Sequence, residues 1–368
     1  MQILAIDMGT GTQDILLFDP GKPVENNVKM VLPSATQVAA TRIRRAARDR
    51  RPLLLTGVVS GGGPCSWAAE EFLAAGGVAY ATPEAAQTFN DDLDEVRDMG
   101  IRIVSEDEVR TIDADRVVLQ DLDLDAVRTA LAAFEVPVEF DGIALGCLDH
   151  GAAPPGVSDR LFRFEHLKRV VEGRNDLLAF ATRPDLLPPY LTRARAMTAS
   201  ARNEAPVAFM DTGPAAALGA LHDEHVAPNS ETVVLNLGNM HLLGFHLRGR
   251  RIASLFEHHT GEVSTEQVVR FTERMATGLL EHAEIFNSKG HGAFAADRSL
   301  VRPTLPPMVA ATGPQREKIR RTTLQPYFAA PYGDMMISGC FGLVRAFAEA
   351  YPEAASAVEH RLGPLPAP

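Results

Sequence analysis

The sequence predicts an α/β protein of two domains. Short apolar runs with strand character alternate with helix-patterned segments along the whole chain, and a strand, glycine turn and strand at Ile3 to Asp19 are echoed at Thr232 to Leu247. The 368 residues also suit two domains of roughly 100 to 200 residues each.

In chain order, the first unit is ILAIDMGTGTQDILLFD. Two apolar runs flank a polar turn, which reads as a β-hairpin. Gly9 and Gly11 let backbone amides approach an anion, Thr10 and Thr12 add hydroxyl donors, and Asp7 at the strand end suits a hydrated Mg²⁺. The plain alternative is an ordinary hairpin with a Gly/Thr turn. An Ala/Arg-rich helix over Gln37 to Arg50 follows, then an apolar strand, Leu53 to Val59. That strand runs into Ser60-Gly61-Gly62-Gly63-Pro64 before a helix over Ser66 to Ala75, so Gly62 and Gly63 are placed where loop amides face a ligand. Next are a helix over Pro83 to Met99, a strand at Ile101 to Val104, a strand at Asp113 to Leu119 and a helix over Asp125 to Phe134.

Asp141 to Leu148 reads as a buried strand ending on Asp149 and His150. Open α/β sheets bind ligands at such strand ends, and both residues are candidates for a site or, more simply, for capping the Pro154-Pro155-Gly156 turn. Leu161, Phe164, Leu167, Val170 and Val171 have helix spacing within Ser158 to Asn175. The second half opens with a strand, Val207 to Met210, then Asp211 and a small-residue helix over Ala215 to Leu221. After the second hairpin, Ser264 and Gln267 form a capping box, with Val268, Phe271, Met275 and Leu279 expected on one helix face. A strand at Met308 to Ala311 leads into Thr312-Gly313-Pro314, and Asp334 to Tyr351 reads as the last helix.

Hydrophobic residues make up 46% and charged residues 23%, an ordinary globular balance. The net charge of -11 argues against nucleic acid, because affinity for a polyanion comes mainly from neutralising phosphates. Arg42, Arg44, Arg45, Arg48, Arg50 and Arg51 are read as a solvated helix face. With no signal-like leader and no apolar run near the ~20 residues of a membrane helix, the chain is expected to be soluble and cytoplasmic. Cys65, Cys147 and Cys340 are too far apart in sequence to suggest a disulfide framework or a metal loop. His150, His241, His258, His259 and His291 are assigned to polar or glycine-flanked turns, where they either gather into a metal or acid–base site or make scattered hydrogen bonds.

The order DxGT hairpin, GPAAALGA helix, NLGN hairpin, TGPQR loop and closing small-residue helix resembles the actin-like ATPase superfamily of actin, heat-shock chaperone ATPases and sugar kinases. The resemblance implies a duplicated ribonuclease H-like fold, with domains over 1–205 and 206–368 closing on ATP and Mg²⁺. It assigns the phosphates to Gly9 to Thr12 and to Asn236, Gly238 and Asn239, the adenosine to Gly313 and Pro314, the metal to Asp7, and the orientation of the attacking group to Asp149 or Asp211. Gly62, Gly63 and the five histidines would then meet a small-molecule substrate; the alternative is a regulatory ATPase that activates a partner protein. Asn236 departs from the superfamily's usual aspartate, which keeps open a nucleotide-binding module without turnover. More narrowly, GGGP, LDHG, SDRxFRFE, MDTGPAAALGA, NLGNMH, FEHHTG and GHG resemble a family whose members carry the description pyruvate formate-lyase activating enzyme. That chemistry needs an iron–sulfur cluster on closely spaced cysteines, and this chain has no such triplet.

Overall fold

The computed structural model describes residues 1–302, 304, 306 and 308–368. The first hairpin forms as its pattern requires: strands Ile3–Met8 and Thr12–Phe18 pair antiparallel, with alternating apolar side chains filling cores on both faces. Val28–Pro33 adds a third antiparallel strand on the outer edge. On the other side of Ile3–Met8, Gly142–Cys147 and then Val207–Asp211 pair in parallel. The second sheet repeats this plan. Glu231–Leu237, His241–Arg248 and Arg251–His259 form the antiparallel meander, and Met308–Thr312 and Tyr327–Phe328 follow in parallel beside Glu231–Leu237. One further strand, Gly292–Ala295, extends its outer edge.

The duplication reaches the atomic detail of the turns. The Gly9 amide donates to the Thr12 carbonyl at 2.9 Å, and the Gly238 amide donates to the His241 carbonyl at 2.9 Å. This correspondence sets Asn236 at the position equivalent to Asp7, two residues before each turn glycine.

The sequence reading of two domains needs two corrections. Between Val28–Pro33 and Gly142–Cys147 lies an inserted parallel sheet with spatial order Ile101–Ile103, Ala79–Ala81, Leu53–Gly57, Asp115–Leu119 and its own apolar core. Strand Val207–Asp211, expected to open the second domain, is the fifth strand of the first sheet. A boundary at residue 205 would sever that sheet.

Two small-residue helices, Thr212–Ala220 and Ser338–Ala350, pack against each other between the two repeated sheets. A Cβ at Gly219 would stand 1.8 Å from the Ser338 carbonyl oxygen, and one at Gly342 would stand 2.0 Å from that of Ala215. Glycine is required there because backbone meets backbone.

Local differences have local causes. The helix expected over Pro83 to Met99 is two short helices, Pro83–Ala86 and Leu93–Asp98; Asp92 starts the second by accepting the Asp94 amide. The Ser264 and Gln267 capping box forms, but that helix ends at Ala276 and Leu279 is 62% exposed. The closing helix begins at Ser338, after a separate turn at Pro331–Gly333, and another helix, Ala355–Leu362, follows it. Among the described residues no helix is long and apolar enough to cross a membrane.

Candidate functional site

The two repeated hairpins face each other across one cavity. Asp7, Gly9, Thr10 and Thr12 line it from the first turn, Asn236, Gly238 and Asn239 from the second, and Gly313 and Pro314 from the loop after Met308–Thr312. The turns touch: a Cβ on Gly11 would lie 2.5 Å from the Asn239 side-chain nitrogen. Gly313 has φ +93°, a conformation open to glycine, and this bend leads Pro314 along the wall. Thus eight of the nine residues expected to meet the nucleotide line this cavity, while Gly11 supports it from behind.

At its base stand Asp7 and Asp14, opposite each other in the antiparallel register. Like charges so placed repel. Both side chains are buried, and one oxygen of each, Oδ1, has no hydrogen-bond partner. Burial pushes Asp7 up to about 7, against the hydroxyl of Thr212, and burial with the charge of Asp7 pushes Asp14 up to about 8. Two unpaired carboxylate oxygens from facing strands are a donor set that fits a hard divalent cation such as Mg²⁺. The closing helix comes near enough that a Cβ on Gly339 would stand 1.9 Å from Asp7 Oδ2.

These raised values set a pH dependence. With a folded-state value above the ordinary carboxylate value, each group holds a proton in the fold that the unfolded chain has released, so its contribution is complete below about pH 4 and is lost as pH rises through about 7 to 8. In a chelator, the melting temperature is expected to fall by several degrees between pH 5.5 and 8.5, to about the same extent in any buffer. Asp14→Asn should flatten the slope, and millimolar Mg²⁺ should offset it. A slope that persists unchanged in Asp14→Asn would place its origin elsewhere.

A second cavity adjoins the first and shares Gly9, Thr10, Leu148, Arg193, Met240 and His241 with it. Gly62, Gly63, Asp149 and His150 line its other side. The glycine loop is held at the carboxyl end of the inserted sheet: Thr36 Oγ1 donates to the Gly62 carbonyl and accepts the Cys65 amide at 3.0 Å. Arg193 joins the walls of both cavities, bonded to Asp121 Oδ2 at 2.7 Å and to the Leu148 carbonyl at 2.7 Å. Sequence reasoning passed over Arg193, whose surroundings TRARAM give no sign of a site.

The remaining carboxylates differ from expectation. Asp149 Oδ1 accepts the Gly151 amide at 2.8 Å and Oδ2 the Ala194 amide at 2.9 Å, so it fastens a loop to a helix start. Asp211 accepts the Gly213 amide with Oδ1 and the Arg163 guanidinium with Oδ2. Each carboxylate thus has a structural partner on both oxygens, which fixes its orientation.

The histidines also divide. His241 starts a strand, and His258 and His259 end one, so they are not in turns as expected. His258 points away: it is fully buried, with Nδ1 beside the His259 carbonyl, Nε2 beside Ser288 Oγ, and its ring on Phe271. His150, His241, His259 and His291 come together, with neighbouring ring centroids 4.5 to 5.6 Å apart. Behind them Arg163, 1% exposed, bonds Glu257 Oε2 at 3.2 Å, Asp211 and the Asp149 carbonyl. Burial acts to raise Glu257, and Arg163 with His291 and His241 overcomes it, holding the carboxyl well below its usual range. Arg163 was missed because one arginine inside an amphipathic helix reads as solvated.

A five-strand sheet of order 3-2-1-4-5, present twice with a cavity between the paired hairpins, defines the duplicated ribonuclease H-like fold of actin-like ATPases. Within that class the chain belongs to the family described as "Putative pyruvate format-lyase activating enzyme (DUF1786)", whose model matches residues 60–318. No curated protein matches it in sequence. Among solved structures, the ROK hexokinase of Thermus thermophilus is 14% identical, covering 96% of this chain and 100% of that one, with a TM-score of 0.31. The ROK family glucokinase of Streptomyces griseus, solved with glucose and AMPPNP, is 12% identical over 93% and 98%, with a TM-score of 0.33. A Ppx/GppA family member from Aquifex aeolicus is 11% identical over 99% and 88%, with a TM-score of 0.28.

Proposed function

We propose that the chain binds ATP with Mg²⁺ between its two hairpins and transfers or hydrolyses the terminal phosphoryl group, acting on a small molecule in the adjoining cavity. The observation that carries this reading is the pair of matching turns across one cavity, with the unpaired Asp7 and Asp14 oxygens at its base. Mg²⁺ would be held by Asp7 and Asp14 and would supply charge neutralisation at the phosphates. The amides of Gly9 to Thr12 and of Gly238 and Asn239 would position the anion, and Gly313 with Pro314 would form the wall for adenosine. Gly62, Gly63, His150 and His241 would contact the acceptor molecule, because they face the cavity that adjoins the phosphate turns. The units on either side are the first sheet, through Asp211 and with its inserted sheet, and the second sheet from Glu231; the glycine-bearing helices between them would let them shift.

A binding module without turnover is the second reading. Asn236 is uncharged at the position equivalent to Asp7, and Asp149 and Asp211 each carry a structural bond on both oxygens. The family description gives a third activity, for which this chain lacks the donors: Cys65, Cys147 and Cys340 are buried on three separate elements, and no cysteine belongs to a ligand cluster among the described residues.

Calorimetry with a non-hydrolysable ATP analogue, with and without Mg²⁺, tests the site, and phosphate release tests turnover. The expected result is Mg²⁺-dependent binding in the micromolar range, about 8 kcal/mol, and measurable release. Binding without release favours the module, while no binding at millimolar analogue removes the nucleotide reading.

A further inference from the structure

The histidine cluster has a geometry that nucleotide binding does not require. One nitrogen each of His150, His241 and His291 lies within 4.8 Å of the other two. His291 is 0% exposed, and neither of its ring nitrogens has a hydrogen-bond partner. Buried polar atoms are almost always paired, so an imidazole with both nitrogens unpaired inside a protein is short of a ligand. The three side chains arrive from separate elements: the loop after strand Gly142–Cys147, the start of strand His241–Arg248, and the residue before strand Gly292–Ala295. Convergence from three places in the sequence is not a by-product of one local turn.

We propose that His150, His241 and His291 bind a late first-row divalent transition ion, zinc foremost, in a three-histidine site. Imidazole donors favour such ions over Mg²⁺, and three protein ligands leave a position for water or an oxygen-donor molecule. That position faces the glycine-loop cavity, because His150 and His241 both line it. The surroundings supply the support that metal-bound histidines need. Glu257 Oε1 stands 3.3 Å from His241 Nδ1 without a formed hydrogen bond, so a small ring rotation would give a carboxylate–histidine–metal arrangement with Nε2 on the ion. The Glu257 carbonyl also accepts the His291 amide at 2.9 Å, so one residue fixes two ligands. His259, with its ring 4.5 Å from that of His291, stands beside the site as a further donor or as the partner of a bound water. Each nitrogen would close to about 2.0 Å from the ion, a contraction within the reach of side-chain rotation.

The ion is tested on the full chain, stripped with a chelator and titrated with Zn²⁺ or Co²⁺ in the absence of nucleotide, so that the outcome is independent of ATP binding. One equivalent of metal per chain is expected, with visible ligand-field bands for Co²⁺ and a nitrogen shell at about 2.0 Å by X-ray absorption for Zn²⁺. His150→Asn and His291→Asn should each weaken binding at least ~100-fold, whereas His225→Asn, outside the cluster, should not. Less than a stoichiometric equivalent in the wild type overturns the proposal, as does undiminished affinity in both cluster variants. If a variant does not fold, the wild-type X-ray absorption spectrum decides: imidazole scatterers support the site and an oxygen-only shell rejects it.

Discussion

Arg163→Leu is expected to lower the melting temperature by roughly 10 °C, the largest stability loss from any single polar substitution in the chain. Arg163 lies on helix Asp159–Gly173 and serves Glu257, Asp211 and the Asp149 carbonyl from a position that water does not reach. Leucine would fill much of the space and would leave two buried carboxylates without their cation. Breaking one side of such a buried pair typically costs about 3 to 5 kcal/mol, because the charge left behind stays desolvated. The loss should therefore come from the orphaned charges rather than from packing. Adding Glu257→Gln to Arg163→Leu should restore part of the melting temperature. A single variant melting within about 2 °C of wild type would show that the ring of charges is solvated after all.

Asp7→Asn is expected to raise the stability of the cation-free protein and to slow Mg²⁺-dependent turnover sharply. The two effects have one cause. Asp7 is desolvated, opposite Asp14 and beneath Gly339, so its charge costs free energy until a cation meets it. Asparagine keeps the shape and removes the charge, and melts at pH 8.5 in a chelator should rise by several degrees. Phosphate release should fall by about 10²- to 10³-fold, the usual effect of removing one electrostatic contact to developing charge. Nucleotide affinity measured without Mg²⁺ should stay within about twofold of wild type, since the turn amides are untouched. Lower stability with intact turnover would place the cation elsewhere and leave Asp7 as an ordinary buried carboxylate.

Much of the cavity between the hairpins is legible because its signals are local. A glycine turn between alternating apolar runs specifies a hairpin within seventeen residues, and the second hairpin carries the same pattern. Asp149 and Asp211 show where such reading stops. Each stands at a strand end, the right address for a ligand, and their oxygens also take structural bonds from the amides of Ala194 and Gly213 and the guanidinium of Arg163. Nothing in LDHG or MDTG announces those partners.

The histidines show the same limit. EHHT reads as a polar turn, yet it is the end of a central strand; side chains alternate along it, so His259 meets the cluster and His258 turns to Phe271. Which of two adjacent histidines joins a site depends on strand register.

The α/β class, the paired hairpins and the glycine-bearing helices are readable from the chain alone, since each depends on backbone propensity and periodicity over a few residues. Contacts between distant segments make Val207–Asp211 complete the first sheet, fold the residues between Val28–Pro33 and Gly142–Cys147 as an insertion, and bring Arg163, Glu257 and three distant histidines together. The arginine–glutamate pair alone spans 94 positions, and a buried charge shows its partner only once the chain has closed around both.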